Sequence, residues 1–238
     1  TVFDVPSKTY PTIQSAVYAA VDGDEIIIHP GTYTSAADPI VDMGGKALWL
    51  RSSGGPDVTI IDGEGLRRVI ECTSNVNTFV TRIEGLTITN GFVDGNGNGG
   101  GISSTGRNID IINCVIKNCT TEGSYPNGWG GGFYSDADIV NISDCTFDTN
   151  TGKKGGGGVG IRYSDEVTIS NCNFTNNSVV GGGSSTVVGG GLYCYTYNTQ
   201  LDLTVTNCSF TNNSGTGYAS HGGGMYCGSG NPDIMDSL

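Results

Sequence analysis

The segment between residues 109 and 227 repeats one short sequence, and this repeat constrains the fold more than any other feature. The copy at residues 167–178 reads VTISNCNFTNNS, and it returns at residues 203–214 as LTVTNCSFTNNS. Looser copies span residues 140–150 and 109–119. Self-similarity at a period of about thirty residues is typical of stacked-repeat proteins, in which each unit packs mainly on its neighbours.

A second phrase, three glycines followed by a large apolar residue, stands between the copies. It occurs at residues 99–102, 130–133, 189–192 and 222–225, with a blurred version at 156–161. The repeated cysteines are 31, 27 and 36 residues apart, so the unit combines a constant core with loops of variable length. The chain has 40 glycines, which we expect at corners and where neighbouring coils approach closely.

Within each copy the apolar residues alternate as they do in a β-strand. Val167 and Ile169 alternate with polar residues. Cys172 and Phe174 continue the pattern after a slip of one residue at Asn171. Such a slip reverses the inward face unless the chain turns a corner, and asparagine tolerates the left-handed conformation that a corner needs. Short strands joined by corners bury their apolar faces when each unit forms one coil, so the sequence predicts an all-β parallel β-helix.

Equivalent side chains of successive coils stack in such a fold, so each repeat position predicts a ladder. The predicted inward ladders are Ile109/Val140/Val167/Leu203, Ile111/Ile142/Ile169/Val205, Cys114/Cys145/Cys172/Cys208, Ile116/Phe147/Phe174/Phe210 and Ile102/Phe133/Leu192/Met225. The predicted polar ladders are Asn113/Asp144/Asn171/Asn207 at a corner and Asn150/Asn177/Asn213, with Cys119 in the equivalent place of the first copy. Stacked asparagines satisfy their amides against the neighbours above and below.

The continuous repeat predicts a single domain over residues 1–238. We assign residues 1–24 to an N-terminal cap, 25–98 to irregular first coils, 99–230 to regular coils and 231–238 to the start of an incomplete coil. The cap contains the only convincing helical pattern, because apolar residues recur at helical spacing between Ile13 and Val21. A solenoid needs such a cap to cover its first strand edge.

The charge balance restricts the partners. With 11 basic and 23 acidic residues the net charge is −12, which argues against nucleic acid or an anionic membrane surface. No stretch approaches the roughly eighteen apolar residues of a membrane-spanning helix. The balance is compatible with a secreted protein and with divalent cations, although no motif supports calcium or another metal.

Two N-terminal segments resemble a known family. Residues 10–16 read YPTIQSA and residues 22–33 read DGDEIIIHPGTY, which resemble the cap and first coil of right-handed parallel β-helix proteins of the pectin-lyase-like superfamily. The Phe-x-x-Asn and glycine phrases are similar to the repeats of polymorphic outer-membrane proteins. The resemblance implies a single-domain right-handed β-helix with an N-terminal capping helix. It selects no activity, because this fold carries lyases, hydrolases, adhesins and passive fibres.

No catalytic constellation is identifiable, so we name no catalytic residue and leave enzymatic activity undecided, leaning towards none. Lyases of the resembled family hold calcium in clustered acidic residues beside a basic one. Arg162 with Asp165 and Glu166 is the best such cluster here, and a solvated turn explains it better. His29 and His221 are expected to be structural or surface residues. The remaining acidic residues are scattered over the repeat: Asp110, Asp136, Asp138, Asp144, Asp148 and Asp202.

The four repeated cysteines are expected to act as small apolar core residues rather than as disulfides, because parallel in-register side chains keep their Cβ atoms apart. Cys194 and Cys227 also stack, and they are the best candidates for a disulfide. The chain lacks the Cys-x-x-Cys spacing of zinc sites.

Six N-glycosylation sequons occur, and three of them occupy the same place in the repeat. The six are Asn118, Asn141, Asn173, Asn176, Asn207 and Asn212. Because Asn118, Asn176 and Asn212 are equivalent, they predict a row of glycans along one outer face in a eukaryotic source.

Two functions remain open. The favoured hypothesis is a non-enzymatic extracellular structural or adhesive surface protein, glycosylated and self-associating, with a filament subunit as one form. The alternative is a β-helix that binds or cleaves a polysaccharide. In that case Tyr193 and Tyr226, which follow the inward Leu192 and Met225, should face outward and stack as a carbohydrate platform.

Overall fold

Short parallel strands stack coil upon coil throughout the computed structural model, which confirms the predicted all-β parallel β-helix. The structure describes residues 1–73, 79–95, 97–106, 108–123, 127–181, 186–196, 201–217, 219–228 and 232–237. The coil that starts at Asn108 contains the strands Asn108–Ile112, Val115–Lys117, Thr120–Thr121 and Phe133–Ser135. Each strand pairs in parallel with its equivalents in the coils above and below.

Equivalent strands form three long sheets, which we call A, B and C. Sheet A consists of Val2–Val5, Glu25–Ile28, Trp49–Ser52, Thr81–Glu84, Asn108–Ile112, Ile139–Ser143, Glu166–Ser170, Asp202–Thr206 and Asp233–Met235. Sheet B consists of Gly31–Tyr33, Thr59–Asp62, Thr87–Thr89, Val115–Lys117, Thr146–Asp148, Asn173–Thr175 and Ser209–Thr211. Sheet C consists of Val41–Asp42, Ile70–Thr73, Ile102–Thr105, Phe133–Ser135, Val159–Arg162, Leu192–Tyr195 and Met225–Cys227.

Two smaller sheets, D and E, lie between sheets B and C along the chain. Sheet D consists of Phe92–Val93, Thr120–Thr121, Thr151–Gly152, Ser178–Val180 and Ser214–Thr216. Sheet E pairs Thr186–Val188 with Ala219–His221. A corner of two residues separates each strand of sheet D from the preceding strand of sheet B.

The N-terminal helix spans Ile13–Ala19, and it is the one helix in the described part of the chain. Thr12 caps it through a capping box with Ser15, and its buried face packs against the first strands of the solenoid. The helix is shorter than predicted. Ala20 is already extended, which leaves Val21 outside the helix and 64% exposed rather than in the apolar stripe.

The predicted ladders form the core. The members of the four ladders within strands follow the strand register, and the four cysteines stack at the corner between sheets A and B, where the Cys114 N–H donates to Cys145 Sγ. All are buried except for Phe210 and Met225, which are half-buried. Val159 takes the place between Phe133 and Leu192 that the sequence had left blurred. The aromatic rungs stack nearly parallel, with centroids 4.7–5.0 Å apart. Repetition thus converts a narrow apolar stripe into a continuous core.

The corners have the backbone conformation that the phase slip predicts. Asn113, Asp144, Asn171 and Asn207 all have φ between 49° and 56°. The next corner is occupied by Asn118, Asn176 and Asn212, with φ of 54–55°. Asparagine and aspartate accept this region more readily than other residues with a Cβ atom.

The buried asparagine ladder is fully connected. The Asn177 Oδ1 accepts from the backbone N–H of Asn150 at 3.1 Å and from its Nδ2 at 3.0 Å, and the Asn177 Nδ2 donates to Asn213 Oδ1 and to the Phe147 carbonyl. Cys119 completes the ladder, since its N–H donates to Asn150 Oδ1. Every amide therefore finds partners away from water, as burial requires.

The glycine phrases occur where two backbones meet. Gly130 has φ of +64°, and a Cβ atom on Gly157 would lie 2.5 Å from the Gly190 carbonyl oxygen of the next coil. A side chain at either position would collide with backbone rather than with a movable group. No helix among the described residues has the length and apolar character needed to cross a membrane.

Candidate functional site

The outer face of sheet A carries two columns of side chains that follow the strand register. The first column runs Glu25, Trp49, Arg82, Asp110, Asn141, Thr168 and Thr204. The second runs Arg51, Glu84, Ile112, Ser143, Ser170 and Thr206. The N-terminal third of this face is thus charged and aromatic, whereas the remainder, apart from Ile112, consists of short polar side chains.

Trp49 is the centre of the charged third. The guanidinium carbons of Arg51 and Arg82 lie 5.4 and 5.2 Å from its ring centroid, within the range of cation–π attraction. The indole Nε1 donates to Glu84 Oε2 at 3.1 Å. These contacts hold the half-buried indole in one orientation.

Carboxylates pair with both arginines. Arg51 forms an ion pair with Glu25, its neighbour one coil earlier. Arg82 donates to Asp110 Oδ2 at 3.1 Å, and the other oxygen of Asp110 accepts from Asn141 Nδ2 at 3.0 Å. The result is a connected network of charged groups around one tryptophan.

A cleft of about 190 Å³ opens beside this network, and we call it the Trp49 cleft. Its lining residues are Gly23, Trp49, Phe79, Val80 and Arg82. Phe79 is 49% exposed and Val80 is 40% exposed, so apolar surface faces solvent here. A concave apolar floor with a few oriented polar groups is the usual form of a small-ligand site.

This arrangement suits a pyranose ring. An aromatic ring offers an apolar face to the C–H groups of a sugar, and carboxylate oxygens accept hydrogen bonds from its hydroxyls. Arginine N–H groups donate to ring and hydroxyl oxygens in a fixed geometry. Trp49 and Arg82 line the Trp49 cleft, and the Glu84 carboxylate is hydrogen-bonded to the indole beside it.

The second tryptophan, Trp129, lies outside the named strands and packs against sheet C. The Trp129 ring stacks on Tyr193 with centroids 4.6 Å apart and an interplanar angle of 27°. Tyr193 in turn stacks on Tyr226, at 5.7 Å and 8°. The predicted stack of Tyr193 and Tyr226 is therefore present. Its predicted role as an open platform needs correction, because Trp129 covers Tyr193 and leaves it only 5% exposed.

Arg162 belongs to this second cluster. Its guanidinium carbon lies 4.7 Å from the centroids of both Trp129 and Tyr163, and its Nη2 donates to the Tyr163 hydroxyl at 2.5 Å. The Arg162 Nε is buried and has no acceptor among the described residues. Arg162 thus packs on rings, while Asp165 and Glu166 are exposed to solvent, as in the solvated turn favoured from the sequence.

Burial perturbs two groups near Arg162. It raises the pKa of the Asp136 carboxyl above its ordinary value of 3.8, and it raises the pKa of the Tyr134 hydroxyl. The other acidic residues of the coils stay dispersed. No group of three or more His, Cys, Asp or Glu side chains that could hold a metal ion occurs in the described ranges.

The two histidines take part in local contacts. His29 bridges Ser53 and Asp4 through its two ring nitrogens, at 3.0 and 3.1 Å. The ring of His221 approaches that of Tyr226 edge-on, with centroids 6.4 Å apart. These contacts are those of surface residues.

The cysteines line the core. Cys114, Cys145, Cys172 and Cys208 are buried and stacked as predicted, and each donates its S–H to the carbonyl two residues earlier. Burial raises the pKa of Cys119 to about 12. Cys194 and Cys227 are register partners on adjacent strands of sheet C. No disulfide bond is formed among the described residues, and the pairing of these two stays a prediction.

The sequons fall into distinct environments. Asn118, Asn176 and Asn212 are exposed at one corner between sheets B and D, where the repeat predicted a row. Asn173 and Asn207 are also exposed, whereas Asn141 is half-buried within the Trp49 network. Glycosylation of all six stays a prediction.

Another cavity, of about 270 Å³, lies beside the capping helix. Gln14 and Tyr33 contribute to its lining. Both polar ends of the Gln14 side chain are bonded to the backbone of Asp42, at 2.8 and 2.9 Å, so this amide serves the cap.

The sequence did not point to Trp49, Arg82 or Glu84. The one usable signal was a tryptophan next to the inward Leu50 in a predicted strand, since alternation places it outward. Arg82 and Glu84 come from the next strand of sheet A, 33 and 35 residues after Trp49, in coils that lack the clear repeat.

Comparisons with known proteins agree with this architecture. The family model described as a right-handed beta helix region matches residues 47–232. A search of curated protein sequences finds no significant match.

Solved structures provide further similarities. An arginine mutant of the PL6 family alginate lyase AlyGC is 13% identical, with a TM-score of 0.44 over 97% of this chain and 39% of the lyase. Pectate lyase Pel9A is 13% identical, with a TM-score of 0.45 over 97% of this chain and 78% of that one. The pectin methylesterase from Aspergillus niger is 13% identical, with a TM-score of 0.42 over 100% and 85%. The chain thus spans about 39% of the length of the alginate lyase.

Proposed function

The chain belongs to the right-handed β-helix family, and we propose that it is an extracellular protein that binds a polysaccharide through the Trp49 cleft. The observation that carries this proposal is the half-buried indole of Trp49, held beside an open cleft by Arg82 and Glu84. The sequence alone favoured a structural role because it showed no catalytic constellation, a regular outer face and a row of sequons. Because the Trp49 cleft offers a candidate ligand site, we favour polysaccharide binding over the structural role.

The shape of sheet A supports an extended ligand. Its strands repeat every coil, and Asn141, Thr168 and Thr204 continue the first column beyond the cleft. Short amide and hydroxyl groups at regular spacing can donate to and accept from successive sugar hydroxyls. A polymer lying across the coils would meet such groups after leaving the cleft.

The test is polysaccharide binding by matched variants, measured by affinity electrophoresis and calorimetry. Trp49→Ala is expected to weaken binding at least about 10-fold, since a central tryptophan commonly dominates a binding site. Trp49→Phe should recover part of the loss, because it restores a ring without the indole N–H.

Tyr18→Ala is the matched control. Tyr18 is also an exposed aromatic residue, at 77%, but it lies on the capping helix and does not line the cleft, so the variant should bind like the wild type. Equal binding by the wild type and Trp49→Ala would refute the assignment of the cleft. Absence of binding to every glycan tested would remove the function itself.

The structural alternative is a second candidate. It is a glycosylated, self-associating surface or filament protein, and the observation that favours it is the exposed corner row of Asn118, Asn176 and Asn212. The test is intact mass before and after deglycosylation, together with electron microscopy of the same material. Heavy glycan on a polymer would favour this candidate, and a bare monomer would count against it.

A further inference from the structure

We infer that the Trp49 cleft selects a neutral polysaccharide over a uronic-acid polymer, an inference that rests on the proposed polysaccharide binding. The starting point is that both arginines are already engaged. Arg51 pairs with Glu25 and Arg82 pairs with Asp110. The positive charge of each guanidinium is thus already balanced by a carboxylate, so a uronate carboxylate would gain less here than at an unpaired arginine.

The charge count of the network beside the cleft supports this selection. Glu25, Glu84 and Asp110 contribute three negative charges, and Arg51 and Arg82 contribute two positive ones, so the network has a net charge of −1. The surrounding chain is also acidic, with a net charge of −12. A polyanion would therefore approach a surface of like charge, which slows association and opposes binding.

The Glu84 carboxylate has a defined position for accepting hydrogen bonds. One of its oxygens accepts from the Trp49 indole at 3.1 Å, which orients the group beside the ring on which a sugar would stack. Carboxylate oxygens accept only, so they pair with hydroxyl donors and repel other carboxylates. A neutral pyranose presents hydroxyl donors without the carboxylate that Glu84 would repel.

The experiment compares neutral and acidic polymers on the wild type, Trp49→Ala and Tyr18→Ala. The neutral probes are a β-glucan, a xylan, a mannan and highly methyl-esterified homogalacturonan. The acidic probes are alginate and the same homogalacturonan after alkaline de-esterification. This last pair shares one backbone and differs in carboxylate charge.

At least one neutral probe is expected to bind through Trp49 at least about 10-fold more tightly than either acidic probe. Its affinity should change little between about 20 and about 300 mM NaCl, since no ion pair with the ligand is involved. Glu84→Gln should raise the ratio of acidic to neutral affinity at least about 3-fold by removing one like charge.

Two outcomes separate this inference from the function on which it rests. Tighter Trp49-dependent binding of an acidic probe, with or without added calcium, would overturn neutral selectivity and leave polysaccharide binding intact. Binding of no probe at all would remove both. Neutral binding that persists fully in Trp49→Ala would place the ligand elsewhere and overturn the inference as well.

Discussion

The two tryptophans of this β-helix are used in opposite ways. Trp49 on sheet A borders a cleft and is flanked by Arg51 and Arg82, which are paired with carboxylates. Trp129, in the loop before the strand Phe133–Ser135, stacks on Tyr193 of sheet C and covers it. Both clusters combine an indole with a guanidinium, yet one leaves a concave surface open and the other closes a surface. A Trp–Arg pair is therefore not a binding signal until the tertiary structure shows what lies beside it.

The largest predicted difference between the two tryptophans is the loss of stability when each is replaced by alanine. Trp129→Ala is expected to lower the free energy of unfolding by about 3 kcal/mol, because it removes ring packing and uncovers Tyr193. Trp49→Ala should cost only about 1 kcal/mol, since its ring borders an open cleft. Urea unfolding followed by circular dichroism measures both. Equal losses of stability in the two variants would contradict the distinction between a closed cluster at Trp129 and an open cleft at Trp49.

We expect a smaller difference in stability, in the same direction, when Arg162 and Arg82 are each replaced by alanine. Arg162→Ala is expected to cost about 1–2 kcal/mol, since its stem and guanidinium pack between Trp129 and Tyr163. Arg82→Ala breaks a partly exposed ion pair, which contributes less than about 1 kcal/mol. In glycan binding the order should reverse, with Arg82→Ala weakened and Arg162→Ala unchanged. Weaker glycan binding by Arg162→Ala would show that the Trp129 cluster also contributes to ligand binding.

Glycan occupancy provides a third comparison, between the sheet A face and the corner row. In a eukaryotic host Asn176 should be occupied more fully than Asn141, because Asn176 is exposed and the Asn141 amide is half-buried against Asp110. Peptide mapping of the glycosylated protein measures both sites, with Asn176→Gln and Asn141→Gln as references. Preferential occupancy of Asn141 would show that a glycan, rather than a ligand, covers the Trp49 network.

The smallest predicted effect is the pH dependence of stability caused by Asp136, which lies near Arg162. Burial raises its pKa, so the folded state holds the proton at pH values where the unfolded chain has lost it. Ionisation therefore costs stability, and the cost grows as the pH rises above about 4. The free energies of unfolding of the wild type and Asp136→Asn, measured by urea unfolding at several pH values, should diverge with rising pH. The difference should favour the variant and stay below about 1 kcal/mol, given the partial exposure. Asp165→Asn at an exposed position controls for the change of net charge. A difference that shrinks with rising pH would contradict the assignment.

The regular coils were predictable in detail because their information is local and repeated. The phase slip at Asn171 predicted a left-handed corner, and the structure has φ of 55° there. The equivalence of Asn150, Asn177 and Asn213 predicted a polar ladder, which the hydrogen bonds complete. Alternation also predicted the stack of Tyr193 and Tyr226. It could not predict the cover on Tyr193, because Trp129 comes from a loop 64 residues earlier.

The sequence by itself determined the architecture of this protein: parallel coils, inward ladders, asparagine corners and an N-terminal capping helix. Each depends on the period of the repeat and on the conformational preferences of single residues, which are readable along the chain. The tertiary structure alone decided where a ligand can bind. Trp49, Arg82 and Asp110 become neighbours only because strands from successive coils pair in one register, and nothing in their local sequence encodes that contact.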